Sequence, residues 1–216
     1  MTSIDGGEIN TALDATRADD ARFDRLTLPR DRFYVVTVGT FIDRKGRWTL
    51  LDAARRLCAR FPDIAFLWLG PTPIGPADLA RVETFGLGDG FRYLTARDFG
   101  PTRRDYLTLL READMFALPS LQEGLPLALL EAMALAVPVV ASRVNAVPEA
   151  VDHEVHGLLI KPDDVDSLVE AIARLKGDRT LRDTVAANAR RRVLEEFELQ
   201  DTAHSTLAAY ASAWRD

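Results

Sequence analysis

Glu131 is the one charged side chain between Leu125 and Ala141, a stretch in which every other residue is apolar or proline. Burying an unpaired carboxylate is costly, so a lone glutamate in a core segment needs a partner or a chemical task. Glu123 stands eight residues earlier, and Gly124-Leu125-Pro126-Leu127 follows it directly. Proline suits the first turn of a helix, where its missing N–H is harmless and the amides around it lack intrahelical acceptors. Such a helix mouth binds anions, phosphates above all. The pattern therefore predicts a phosphate-bearing ligand at a helix N-terminus, with Glu123 on the preceding loop and Glu131 reaching back along the helix. The plainer alternative is that Glu131 pairs with an arginine inside the fold.

A second candidate is Val38-Gly39-Thr40-Phe41-Ile42-Asp43-Arg44-Lys45-Gly46, a strand entering a glycine-flanked loop. Gly39 would let a ligand approach the backbone, and Arg44 or Lys45 could neutralise a diphosphate. It is neither a Walker loop nor a Gly-x-Gly-x-x-Gly fingerprint. Alone it is a weak signal, and a solvated turn with Arg44 and Lys45 exposed fits it better. Asn145, in Val144-Asn145-Ala146-Val147-Pro148-Glu149, lies after a further strand and is either a ligand contact or part of a turn leading into a short helix. Asp164-Val165-Asp166 matches an Asp-x-Asp metal motif, but it opens a helix, where acidic residues cap free amides. His153, His156 and His204 do not cluster with metal-ligand spacing, and no metal or other cofactor is expected.

Short apolar runs at Phe33–Val38, Ile64–Leu69, Phe91–Leu94, Met115–Leu118, Val137–Ala141 and Gly157–Ile160 alternate with helical patterns. The helices are expected at Trp48–Phe61, Asp78–Phe85, Thr102–Ala113, Pro126–Ala136 and Asp164–Lys176. Continuous apolar strands between helices indicate a parallel sheet covered on both faces. The fold class is α/β, a doubly wound parallel sheet, whose ligands lie beyond the carboxyl ends of the strands. Asp178 to Trp214 is helical in pattern with an interruption near Phe197, long enough to leave the sheet and pack elsewhere.

At 216 residues and 47% hydrophobic content the chain suits one such domain with extra helices. A net charge of −6 argues against nucleic acid as partner. Arg103-Arg104 and Arg190-Arg191-Arg192 are expected on solvated helix faces. One cysteine, Cys58, and an N-terminus without a leader pattern fit a reducing, cytoplasmic setting.

Taken together, Leu118-Pro119-Ser120, Glu123 to Leu127, Leu130 to Ala134, Pro138 to Ser142, Pro148-Glu149 and Gly157-Leu158-Leu159 resemble the E-x₇-E region of the GT-B-fold retaining glycosyltransferases of family 4, glycosyl transferases group 1. The resemblance runs from about Phe33 to Phe197 and implies the C-terminal, Rossmann-like domain that binds the nucleotide-sugar donor. It implies that Glu123 contacts the transferred sugar and that Lys45 holds the diphosphate and supports the departing charge. Amides of Gly124, Leu125 and Leu127, beside Pro126, would meet sugar and diphosphate, and Glu131 would bind the ribose hydroxyls. Gly39, Thr40 and Arg44 would complete the site, without metal. Thr40 stands where the family usually has arginine, with Arg44 as the nearby substitute, and Asn145-Ala146-Val147 replaces its small-residue pair.

The resemblance also implies a layout: residues 1–31 as an interdomain linker remnant, since Ile4 to Glu8 resembles the interdomain connection, 32–177 as the donor-binding domain, and 178–216 as a C-terminal helical segment. The acceptor would sit on an N-terminal domain absent from this chain, and any membrane association would pass through that half. The implied function is sugar transfer from a nucleoside-diphosphate sugar to an unknown acceptor. The alternative is a non-catalytic nucleotide-sugar-binding or partner module, a split or degenerate subunit.

Overall fold

The computed structural model describes residues 5, 7–9 and 26–197. Six strands form one sheet: β1 Phe33–Val38, β2 Ile64–Leu69, β3 Phe91–Leu94, β4 Met115–Leu118, β5 Val139–Ser142 and β6 Leu158–Ile160. All neighbours pair in parallel in the order β3-β2-β1-β4-β5-β6. This is the doubly wound arrangement, and its switch point lies between β1 and β4. The helices are α1 Arg47–Arg60, α2 Pro76–Glu83, α3 Ala96–Phe99, α4 Arg103–Arg111, α5 Leu127–Ala134, α6 Val147–Ala150, α7 Val165–Gly177 and α8 Arg179–Glu196.

Strands β2, β4, β5 and β6 are buried along their whole length because each sheet face carries its own apolar layer. One layer joins Val36, Leu67, Phe116 and Val139 to Leu107 and Leu110 of α4, Leu130 and Met133 of α5, and Ala189 and Val193 of α8. The other joins Val35, Phe66, Met115 and Val140 to Leu50 and Leu57 of α1 and Leu168 and Ile172 of α7. Alternating strand side chains thus supply two cores. Ile9, Leu26 and Leu28 enter the first.

The described part of the expected C-terminal helical segment, α8, packs against the helices α5 and α7 and shares their cores. Its buried Val185, Ala186, Ala189 and Val193 form the apolar stripe responsible. Its arginines are not merely solvated. Arg190 donates to the carbonyl of Ala134 at the end of α5, and Arg192 to Asp152 and to the carbonyl of Glu149. Residues 198–216, including His204 and the expected helix as far as Trp214, lie outside the described residues, as does most of 1–25.

β5 begins two residues later than the apolar run suggests. After α5 the chain passes through left-handed Ala136 (φ 56°), and Val137 N–H returns to the Ala132 carbonyl, closing the helix with a C-terminal cap. Asp164 caps α7 by accepting from Ser167 N–H at 3.0 Å. None of the described helices is long and apolar enough to cross a membrane.

Candidate functional site

The loops after β1 and β4 meet at the switch point, and two glycines let them do so. Gly39 (φ 140°) ends β1, where its N–H donates to the Leu69 carbonyl at 2.9 Å and its carbonyl accepts from Trp68 Nε1 at 2.7 Å. A β-carbon there would stand 3.2 Å from Lys45 Cε, so glycine clears the lane in which the lysine stem lies. A 3-10 turn, Asp43–Lys45, then ends at Gly46 (φ 68°). A β-carbon on Gly46 would fall 2.0 Å from the Pro119 carbonyl oxygen. Leu121 N–H donates to the Arg44 carbonyl at 2.8 Å and stitches the loops together.

This close approach delivers Lys45 to Glu123. Lys45 Nζ lies 2.5 Å from Glu123 Oε1, and Ser120 Oγ donates to the same oxygen at 2.7 Å. Arg44 Nη1 stands 3.8 Å from Oε2 and donates to the Gln122 carbonyl at 3.2 Å. The Glu123 N–H faces Asn145 Oδ1 at 3.4 Å, which ties in the loop after β5. The Glu123 side chain is 5% exposed, Lys45 14% and Arg44 49%, so positive charge faces outward over a buried carboxylate. Thr40 is exposed on the same loop.

Helix α5 begins beside this pair. Its N-cap residue is Pro126, so the helix starts one residue later than the sequence implies, and no side chain caps it. Leu129 and Leu130 N–H groups turn back to the Pro126 carbonyl. The amides of Gly124, Leu125, Leu127 and Ala128 have no acceptor among the described residues. Gly124 is exposed, with open space where a β-carbon would point. The result is an uncapped helix N-terminus flanked by one lysine and one arginine, a ready anion site.

Glu131 sits one turn further into α5 and is 2% exposed. Tyr106 Oη of α4 donates to its Oε2 at 2.6 Å, and Arg103 Nη1 lies 2.7 Å from Oε1. The guanidinium is not aligned for a hydrogen bond to Oε1, which is buried without one. Arg103 Nε bonds Glu8 from the N-terminal segment. Burial raises the Glu131 pKa, against the opposing pull of Tyr106 and Arg103. Burial, with the neighbouring carboxylate, raises Tyr106 well above the usual phenol value.

The structure therefore gathers Gly39, Arg44, Lys45, Glu123, Gly124, Leu125, Pro126 and Leu127 at one rim and gives the buried Glu131 a partly exposed arginine partner. Arg103, expected on a solvated face, is that partner. Sequence reasoning missed Arg103, Tyr106, Ser120 and Glu8. The spacing of Arg103 and Tyr106, three apart on one helix face, was the available signal for the first two. Farther along the same rim, Ala96, Arg97, Asp98, Gly100 and Pro101 line a cavity of about 440 Å³.

An all-parallel sheet with an anion-ready helix at its switch point defines a Rossmann-like ligand-binding domain. The family model described as glycosyl transferases group 1 matches residues 32–178, and the chain belongs to that family. A D-inositol 3-phosphate glycosyltransferase of Salinispora arenicola is 33% identical over 211 residues, 94% of this chain and 46% of the relative. A sucrose-phosphate synthase from Thermosynechococcus elongatus superposes with a TM-score of 0.78 at 26% identity, covering 99% of this chain and 52% of that one. In fold alone, the chain also matches the C-terminal domain of a glycosyl transferase group 1 family protein from Francisella tularensis (TM-score 0.76, 21% identity, 91% of this chain and 99% of that one). The chain spans about half the length of the curated relatives it matches.

Proposed function

We propose that this chain is the donor-binding half of a retaining glycosyltransferase of carbohydrate biosynthesis, taking its sugar from a nucleoside-diphosphate sugar. The observation that carries the reading is the Lys45–Glu123 pair set against the uncapped start of α5 at the switch point. The diphosphate would lie on the free amides of Gly124 to Ala128, between Lys45 and Arg44. As the sugar leaves, negative charge grows on the departing phosphate, and these fixed donors stabilise it without reorganising. Lys45 would exchange part of its contact with Glu123 for that phosphate, freeing the carboxylate to accept hydrogen bonds from sugar hydroxyls. Glu131 would bind the ribose. Two cations and four amides supply the field, so no metal is invoked.

Arg44 takes the place of the cation that Thr40 does not provide, and its guanidinium already reaches the Glu123 carboxylate. In this reading residues 32–177 are the donor-binding domain, 1–31 an interdomain linker remnant and 178–216 a C-terminal helical segment. The setting is cytoplasmic, and any membrane contact belongs to the acceptor half. The uncharged, exposed Thr40 favours a second reading, a subunit that holds donor without turnover.

Calorimetric titration of UDP, GDP and ADP into the chain and into Glu131→Ala tests the assignment. At least one nucleotide should bind, about tenfold or more weakly to the variant, as expected for loss of a buried charged acceptor. No binding by any of the three, or equal affinity for both proteins, rejects it.

A further inference from the structure

Glu131 Oε1 is buried, lacks an aligned hydrogen bond, and has the Arg103 guanidinium 2.7 Å away. The Arg103 side chain is 37% exposed while Glu131 is 3% exposed, so the cation lies over the carboxylate rather than beneath it. Tyr106, half-buried against the core, donates to the other oxygen. Arg103 also has a second anchor, because its Nε bonds Glu8, whose side chain is 46% exposed.

We propose that Arg103 is the resident occupant of the diol-binding position on Glu131, displaced toward Glu8 when a ribonucleotide arrives. The inference rests on the donor-binding reading above and adds to it a competitor inside the site and a resting place outside it. The chemistry is an exchange of partners. Two ribose hydroxyls can donate well-aligned hydrogen bonds to Oε1, whereas Arg103 offers an ion pair without that alignment. Bonds to a charged, desolvated acceptor are the stronger kind. A partly exposed guanidinium gives up little on leaving, since exposed ion pairs are weak, and Glu8 receives it. Nucleotide binding is thereby coupled to the segment that precedes the domain. Tyr106 acts here as a positioning residue, holding the carboxylate in place while its other oxygen changes partners.

The test compares the nucleoside diphosphate that binds most tightly above with its 2′,3′-dideoxy counterpart, by calorimetry. The proteins are the full chain, Arg103→Ala, Glu8→Gln and the double variant, with folding of each checked by circular dichroism. Arg103→Ala should tighten the ribonucleotide by about two- to fivefold, the range of a half-exposed ion pair. Glu8→Gln should weaken it by a similar factor, because Arg103 then rests on Glu131 alone. The double variant should match Arg103→Ala, since Glu8 acts only through Arg103. The dideoxy ligand should respond to none of these changes.

Weaker ribonucleotide binding by Arg103→Ala would make Arg103 a ligand contact and overturn the proposal. So would a silent Glu8→Gln, or equal effects on the two ligands; in each case the donor-binding reading stands. If the unsubstituted chain binds no nucleotide, both fall together.

Discussion

Replacing Lys45 by methionine keeps the stem that runs past Gly39 and deletes the charge beside Glu123. The Glu123 side chain is 5% exposed and Lys45 14%, with 2.5 Å between Nζ and Oε1, so the carboxylate would lose its nearest counter-charge. Removing one member of a buried pair costs about 3–5 kcal/mol. Here the Ser120 hydroxyl remains at 2.7 Å and Arg44 at 3.8 Å, which lowers the expected loss. We expect about 2–3 kcal/mol, or about 4–12 °C in Tm for a domain of this size. Combining Lys45→Met with Glu123→Leu should recover about 1–2 kcal/mol of that loss, because no stranded charge remains. Urea unfolding followed by circular dichroism measures all three variants. A Lys45→Met protein within about 0.5 kcal/mol of the parent, the behaviour of an exposed lysine, refutes the view that the pair is buried and coupled.

Three further outcomes follow from the same geometry. Gly46→Ala should cost about 3 kcal/mol or more, since its β-carbon meets the Pro119 carbonyl at 2.0 Å, whereas Gly88→Ala, at φ 49° with open space around it, should cost about 1–2 kcal/mol; equal losses in urea unfolding would contradict the loop contact. Tyr106→Phe should destabilise by about 1–3 kcal/mol, the usual cost of a stranded buried acceptor, and should weaken nucleotide binding in calorimetry, which an unrelated core change would leave alone. Glu131 has a raised pKa, so between the ordinary carboxylate value and the raised one the folded state holds more protons than the unfolded state, and its contribution to stability falls as pH rises through that window. Glu131→Gln should therefore gain stability relative to the parent as pH rises above the ordinary carboxylate value, and a relative loss on that side in parallel urea titrations would reverse the assigned sign.

Much of the sheet was legible because β2 and β4 are buried on both faces and so read as unbroken apolar runs. β5 was placed early because Val137 and Pro138 continue its hydrophobicity, and only the left-handed turn at Ala136 shows where α5 ends. The C-terminal helix looked independent because its buried stripe is built of small residues, Ala186 and Ala189 among them, which carry little hydrophobic signal. Glu123, Glu131 and Lys45 stood out by type and setting. Their partners did not, since pairing depends on chain crossing. Lys45 and Glu123 are 78 residues apart, Tyr106 and Glu131 25, and Arg103 and Glu8 95. Local spacing could show that Arg103 and Tyr106 share a helix face, but not that the face is turned toward α5.

The most direct test of the site is backbone amide chemical-shift mapping on ¹⁵N-labelled protein titrated with UDP, GDP and ADP. A diphosphate seated at the start of α5 should shift the amides of Gly124, Leu125, Leu127 and Ala128 most strongly, together with Lys45 on the facing loop. Saturable binding that leaves those five amides unmoved, with the largest shifts elsewhere, would contradict the account.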